Sequence, residues 1–371
     1  MKISRLTLRN YRNYENESVE FCPGINVFIG ENAQGKTNIL EAIYYAALGR
    51  SHRTSSDGDL IRNGTDEAFF SSEFTRMDAE NRLDFRFNRG MRRRIEKNGA
   101  SVTMKDLIGT LQAVLFSPED LFLVKGGPGE RRRFIDMELS QVDKNYFFDL
   151  AGYSRLIAQR NSFLKKVREG EASEDDIFLW DRQIIPRAVR ITVKRIEALK
   201  KIGDMAKKTH EGITGGRESL SVKYEIHGAE GEREEDVVRD LPSWYNEKMA
   251  ESRKIDIMRG STRFGPHRDD FIFSVNGENL RFYGSQGQQR TGILSLKMAE
   301  LSFFTEEAGE PPVLLLDDVM SELDRERREK LISFIGNENL QAMVTTTDGE
   351  HFPKDAVENV YRVSRGTVKR I

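Results

Sequence analysis

The stretch Gly30–Thr37 reads GENAQGKT. A G-x-x-x-x-G-K-T spacing constrains the fold because it works in one local setting. A buried strand must end at the first glycine, the loop must turn its N–H groups inward, and a helix must open on the lysine. Both flanks fit. Ile25–Ile29 is a short apolar-rich run, and Ile39, Leu40, Ile43, Ala46 and Ala47 fall on one helical face with Gly49 placed to end it. In such a loop Gly30, Glu31, Asn32, Ala33, Gln34, Gly35, Lys36, Thr37 and Asn38 surround the phosphates of a nucleoside triphosphate. Lys36 reaches the β- and γ-phosphates, Thr37 offers its hydroxyl to Mg²⁺, and the helix N-terminus adds positive potential.

A phosphate loop serves kinases, switches, pumps and DNA machines alike, so the use of the triphosphate must be read elsewhere. Pro311–Asp324 reads PPVLLLDDVMSELD. Val313–Leu316 fits the buried strand of a parallel sheet, with carboxylates at the C-terminal end where such sheets bind ligands. Asp317 is placed to hold the Mg²⁺ shell and Asp318 to orient or activate the attacking water. Tyr283–Arg290, YGSQGQQR, precedes a helix whose inner face is Ile293, Leu294, Met298 and Leu301. A Ser-x-Gly-Gln loop opening a helix is a second anion site.

The 371 residues allow one large domain with an insertion, or two domains. Leu6/Leu8, Val19/Phe21, Leu83/Phe85/Phe87 and Phe271/Phe273/Val275 alternate as half-buried strands do, and Asn98-Gly99 and Asn276-Gly277 are hairpin turns. From Gly129 the texture becomes helical, through Leu139–Val167, Phe178–Ile202 and Leu241–Met258. The expected architecture is an α/β head (mixed sheet with helices plus an antiparallel sheet) over 1–128 and 262–371, with a mostly helical arm over 129–261. The acidic run Glu230–Asp236 reads as a solvated loop.

A net charge of −2 leaves nucleic acid to local clusters. Arg92, Arg93 and Arg94, with Arg89 and Lys97, read equally as phosphate-backbone contacts or as a charged strand edge. Arg131–Arg133 open the arm and are a second basic cluster. The longest apolar stretch, Ala42–Leu48, is far short of the ~20 residues of a membrane span. The N-terminal residues lack the apolar run of a signal peptide. The single cysteine, Cys22, cannot form an internal disulfide, so a reducing, cytoplasmic setting is expected. The scattered histidines show no zinc spacing.

The order phosphate loop, Ser-x-Gly-Gln, acidic strand, Ser-Glu-Leu-Asp resembles the ABC-type ATPase head. That resemblance implies that Ser285, Gly287 and Gln288 contact the γ-phosphate held by a partner chain, so that two heads sandwich two ATP molecules. It places Ser321 and Asp324 in a loop crossing the dimer interface. With LRNYRNY (Leu8–Tyr14), LFSPEDL (Leu115–Leu121), RRRFID (Arg131–Asp136) and FGPHRDD (Phe264–Asp270), the chain is similar over essentially its whole length to the RecF family, SMC-like heads with a short helical arm. The resemblance implies ATP and Mg²⁺ as cofactors and ATP-dependent homodimerisation on DNA (duplex and single-strand/duplex junctions). It further implies partnership with RecR, help in loading RecA at single-strand gaps, and slow, DNA-stimulated ATP hydrolysis.

Two positions depart from ordinary ABC heads. Asp318 stands where glutamate is usual, one methylene shorter, which implies slow turnover. The late switch histidine is replaced by TTTD (Thr345–Asp348), with Thr347 or Asp348 as the γ-phosphate sensor. The lid loop has two candidates, Gln112 and Ser117–Asp120. His267 and Arg268 read as a link between arm and nucleotide. A transporter ATPase subunit would share the head but has no reason for so long an inserted arm. A small-molecule kinase would not need SQGQQ.

Overall fold

A computed structural model describes residues 1–347 and 357–371. The chain forms two compact units. One contains Met1–Leu121, Lys208–Arg217 and Arg290–Ile371; the other contains Phe122–Lys207 and Glu218–Gln289. Helices Phe178–Thr214 and Gln286–Ala308 each contribute residues to both.

The first unit is an α/β head with two six-stranded sheets. In one, Asn359–Ser364, Ile25–Ile29, Ala342–Thr346, Val313–Asp317 and Ala113–Phe116 run parallel, and Thr367–Arg370 adds an antiparallel edge. The central strands are buried, which is why VLLL and the apolar-rich INVFI do not alternate apolar with exposed polar residues. Register sets Thr346 opposite Ile29 and Thr345 opposite Asp317, so the ends carrying chemistry lie side by side.

The other sheet is antiparallel and contains Lys2–Tyr11, Tyr14–Glu20, Glu67–Arg76 and Ala79–Asn88. Its alternating Phe70, Phe85 and Phe87 meet Tyr45 of the phosphate-loop helix Lys36–Leu48 edge-on, at 5.4–5.7 Å between centroids. The site helix is thereby packed from both sheets. Asn98 and Gly99 both adopt positive φ, 51° and 81°, as the expected hairpin turn requires.

The second unit contains helices Pro128–Val142, Lys144–Arg168 and Leu241–Arg259, most of Phe178–Thr214, and a three-stranded sheet. Two buried arginines organise it. Arg160 is held by Asp181 and Asp256, both at 2.8 Å, and by the Thr262 hydroxyl at 2.9 Å. Arg195 forks onto Asp136 and donates to Pro266 O at 2.5 Å. Buried charges of this kind are tolerated because carboxylates pair with them.

The expected boundaries at 128/129 and 261/262 differ from these units. Asp270–Val275 pairs with Leu220–Glu225 inside the helical unit, so the returning chain does not rejoin the head until Arg290. Leu220–Glu225 is a strand that the sequence reading missed among helices. The acidic run continues into the short helix Glu234–Arg239 instead of remaining loop throughout. Among the described residues no helix is long and apolar enough to cross a membrane.

Candidate nucleotide site

The site begins where Ile25–Ile29 ends. A Cβ at Gly30 would lie 2.3 Å from Val363 O, and one at Gly35 would lie 2.7 Å from the Asn13 amide, with φ at 116°. Only glycine fits either place. Gly35 then caps the helix that opens at Lys36.

The loop is held from outside by the LRNYRNY segment. Asn13 Nδ2 donates to Gln34 O at 2.8 Å and Tyr14 OH to Gly35 O at 2.9 Å. These residues sit on a tight reversal in which Asn10 and Arg12 take positive φ. Arg12 forks onto Glu41 of the phosphate-loop helix at 2.8 and 2.5 Å. Burial opposes the charge on Glu41, but the hydrogen bonds from Arg12 and Ser51 hold its carboxyl below the ordinary range.

A cavity of ≈ 420 Å³ opens over the loop, lined by Lys36, Thr37, Arg53, Asp317, Asp318 and Thr345 among others. Lys36 Nζ donates to Gly30 O at 2.6 Å and Glu31 O at 2.9 Å. Desolvation lowers its pKa, opposed by Asp318 and Asp317. Thr37 Oγ1 donates to Asp317 Oδ1 at 2.9 Å, and Thr345 Oγ1 donates to the same oxygen at 2.7 Å. Thr345 Oγ1 also accepts from Asp318 N at 2.9 Å. Asp318 itself leaves the strand at φ 55°, ψ 21°, a left-handed turn uncommon outside glycine.

The hydroxyl and carboxylate oxygens at Thr37 and Asp317 suit a hard divalent cation. Mg²⁺ is commonly held by one or two carboxylates, with phosphates and water completing the shell.

Sequence reasoning missed Arg53 and, within TTTD, Thr345. Arg53 lines the cavity, its Nη1 donating to Asn38 Oδ1 at 2.8 Å and lying 3.8 Å from Glu41. No motif spacing marks it; only its position shortly after Gly49 could have drawn notice. Of TTTD, Thr345 is the residue that touches the acidic strand, because register places it there, whereas Thr347 is exposed. Asp348 lies outside the described residues. Gln112 is buried at the N-terminal end of its strand, the end away from Asp317, and so cannot be a lid. Ser117–Asp120 follows the correct end. Asp120 accepts from Ser117 N at 2.8 Å and lies 3.7 Å from Lys297.

The second anion loop belongs to the other compact unit. Ser285 Oγ accepts from Gln288 N at 3.2 Å while Ser285 N donates to Gln288 Oε1 at 2.9 Å, a reciprocal cap at the start of Gln286–Ala308. Gly287 sits in that first turn, and Ser285 and Gly287 are exposed. Within the head, Ser321 Oγ donates to Asp318 O at 2.8 Å and Asp324 caps helix Arg325–Asn337.

The basic clusters divide into braced and exposed members. Arg93 donates to the Tyr45 hydroxyl and to Asp57, both at 2.8 Å, so it braces the head and leaves Arg92 and Arg94 as the exposed members of its trio. Arg131 forks onto Asp270 at 2.7 and 2.9 Å, and Arg132 donates to Asp269 O at 2.7 Å. His267 is bonded to Tyr153 OH at 2.6 Å and Thr262 O at 3.1 Å, and burial pushes its pKa down to about 4. Both of its partners belong to the helical unit.

The family model for the RecF/RecN/SMC N terminal domain matches residues 2–369. The DNA replication and repair protein RecF of Lachnoclostridium phytofermentans is 39% identical, covering 100% of both chains. That of Symbiobacterium thermophilum is 42% identical over 99% of this chain and 98% of its own. A solved structure of the recombination mediator protein RecF with ATP, of the RecFOR pathway, superposes with a TM-score of 0.90 at 34% identity, covering 100% of this chain and 97% of that one. An Smc head bound to the C-winged helix domain of ScpA shares the fold, with a TM-score of 0.61 at 17% identity. These full-length matches set aside the transporter and kinase readings. The chain, with its phosphate loop, acidic strand and inserted helical unit, belongs to the RecF family of DNA replication and repair proteins, ABC-type ATPases of SMC-like fold.

Proposed function

We propose that this chain is an ATP-driven clamp of recombinational repair. In this reading it binds ATP, dimerises on DNA with two ATP molecules between two copies, and works with RecR so that RecA loads at single-strand gaps. Slow, DNA-stimulated hydrolysis then releases the pair. The observation that carries the reading is the convergence of Thr37 and Thr345 on one oxygen of Asp317, at the floor of a cavity that Lys36 also lines.

The loop N–H groups and Lys36 bind the outer phosphates, and Lys36 exchanges Gly30 O and Glu31 O for phosphate oxygens as they arrive. Thr37 and Asp317 would hold Mg²⁺, which when bound neutralises charge developing on the transferred phosphate. Asp318 orients the attacking water, its carboxylate aimed by the left-handed turn and its N–H fixed by Thr345. Ser285, Gly287 and Gln288 complete the second copy's site, and Ser321 and Asp324 lie in the loop facing that copy.

Asp318→Asn tests the water assignment. ATP binding should stay nearly unchanged while hydrolysis falls by ~10²–10⁴-fold, the usual worth of a positioned base. Single-turnover hydrolysis at wild-type rate would show that another group holds the water.

The DNA surface has a separate test. If Arg92 and Arg94 bind phosphates, the paired alanine variant should bind duplex more weakly, and its salt slope should be shallower by ~0.9 for each phosphate no longer neutralised. An unchanged slope in a filter-binding titration would place the footprint elsewhere.

A further inference from the structure

Asp317 carries a half-buried carboxylate whose two oxygens are engaged unequally. Oδ1 accepts from the Thr37 hydroxyl at 2.9 Å and from the Thr345 hydroxyl at 2.7 Å. Among the described residues no donor reaches Oδ2. Each carboxylate oxygen has about two lone-pair directions, so Oδ1 has none to spare. Oδ2 keeps both of its own, on a side chain that lines the phosphate cavity.

The two donors are not equivalent. Thr37 lies in the first turn of the phosphate-loop helix and can offer its oxygen to a cation while its hydrogen stays on Asp317. Thr345 is fixed. It is fully buried in the strand Ala342–Thr346, directly opposite Asp317 in register. Branching at Cβ restricts its χ1. Its oxygen accepts from Asp318 N at 2.9 Å. Its single hydrogen has Asp317 Oδ1 at 2.7 Å, against Leu316 O at 3.5 Å, a longer and weaker alternative.

Divalent cations differ in what they ask of a carboxylate. Mg²⁺ demands an octahedron at about 2.0–2.1 Å and fills most of it with water and phosphate oxygens. Ca²⁺ gathers about six to eight oxygens at about 2.3–2.6 Å, often taking both oxygens of one carboxylate. We propose that Thr345 is a specificity-determining residue that selects Mg²⁺ over Ca²⁺, because by occupying Oδ1 it leaves Asp317 a single oxygen for the cation. This rests on the reading that Thr37 and Asp317 hold the cation that accompanies ATP.

The test is equilibrium binding of a fluorescent ATP analogue to the full-length protein in Mg²⁺, in Ca²⁺ and in a chelator. The parent should bind the analogue more tightly in Mg²⁺ than in Ca²⁺. Thr345→Val keeps the shape and the branch but removes the donor, so Oδ1 regains a lone pair. The ratio of the Ca²⁺ to the Mg²⁺ dissociation constant should then fall by at least ~10-fold, the lower end of what one hydrogen bond to a charged group is worth. A ratio taken within one variant cancels any loss of stability common to both cations. Thr345→Ser keeps the hydroxyl and should keep most of the parent's ratio.

Four results overturn the proposal. A parent that binds equally well in Ca²⁺ and Mg²⁺ has no selectivity for Thr345 to set, a result that needs no variant. An unchanged ratio in Thr345→Val, with binding still dependent on Mg²⁺, removes Thr345 as the selector and leaves Thr37 and Asp317 as cation ligands. A ratio in Thr345→Ser that falls as far as in Thr345→Val traces the effect to packing instead of the hydroxyl. Binding as tight in the chelator as in Mg²⁺ refutes the cation reading itself.

Discussion

Lys36→Met is expected to remove ATP binding by about 10²–10⁴-fold. Its Nζ lies in the phosphate cavity, where it makes two hydrogen bonds to loop carbonyls at 2.6 and 2.9 Å and is poised to exchange them for phosphate oxygens. Two charge-assisted hydrogen bonds of about 1.5–3 kcal/mol each give a loss of that size. Methionine has a similar length and apolar stem, so the fold should survive, and the melting temperature without nucleotide should stay close to that of the parent. Equilibrium binding of a fluorescent ATP analogue is the measurement. Affinity within a few-fold of the parent would mean that another cation holds the outer phosphates, with Arg53 the first to examine because it lines the same cavity.

Ser285→Arg should act on a different step. Ser285 is exposed, belongs to another compact unit than the phosphate loop, and caps its own helix. A monomer carrying the change should bind ATP almost normally. ATP-dependent dimerisation should be lost, because an arginine fills the space that a second copy's phosphate needs, and hydrolysis should fall to background. Mixing gives the sharper form. A Ser285→Arg chain paired with a Lys36→Met chain has one composite site with both lesions and one with neither. About half of the activity per heterodimer should return if the two sites are independent. If mixtures in which heterodimers form remain inactive, or if Ser285→Arg alone still dimerises with ATP, the contact in trans is wrong.

What could be read from the sequence followed from local rules. The phosphate loop needs a strand before it and a helix after it, and both flanks of Gly30–Thr37 advertise themselves by period. Val313–Leu316 is recognisable because a strand buried on both faces reads as a continuous apolar run. Asn98-Gly99 and Asn276-Gly277 carry their turn geometry in their residue types. What escaped depends on pairing across long sequence separations. Nothing within Leu220–Glu225 says that its partner is Asp270–Val275, so the return to the head was placed too early. Thr345 was passed over for its neighbours because the register that sets it against Asp317 is a property of two strands. Arg93 looked like its neighbours in sequence and differs only in what Tyr45 and Asp57 offer it. Arg131 could have met DNA, a protein partner or neighbouring acids, and the acid that holds it, Asp270, lies 139 residues away.

The brace from Asn13, Tyr14 and Arg12 has a thermodynamic consequence. A glycine-containing loop that fluctuated before binding would lose conformational freedom when it closed on phosphate, and each residue ordered would cost about 1–2 kcal/mol. Here Gln34, Gly35 and Glu41 are already tied to the neighbouring reversal, so that entropy is lost during folding and not again at each round of binding. Affinity for the triphosphate thus becomes sensitive to side chains that never touch it. Loosening Asn13 would weaken capture by letting the unliganded loop spread over more states, and the deficit would appear in the entropy of binding measured by calorimetry while the enthalpy of the phosphate contacts stayed nearly constant.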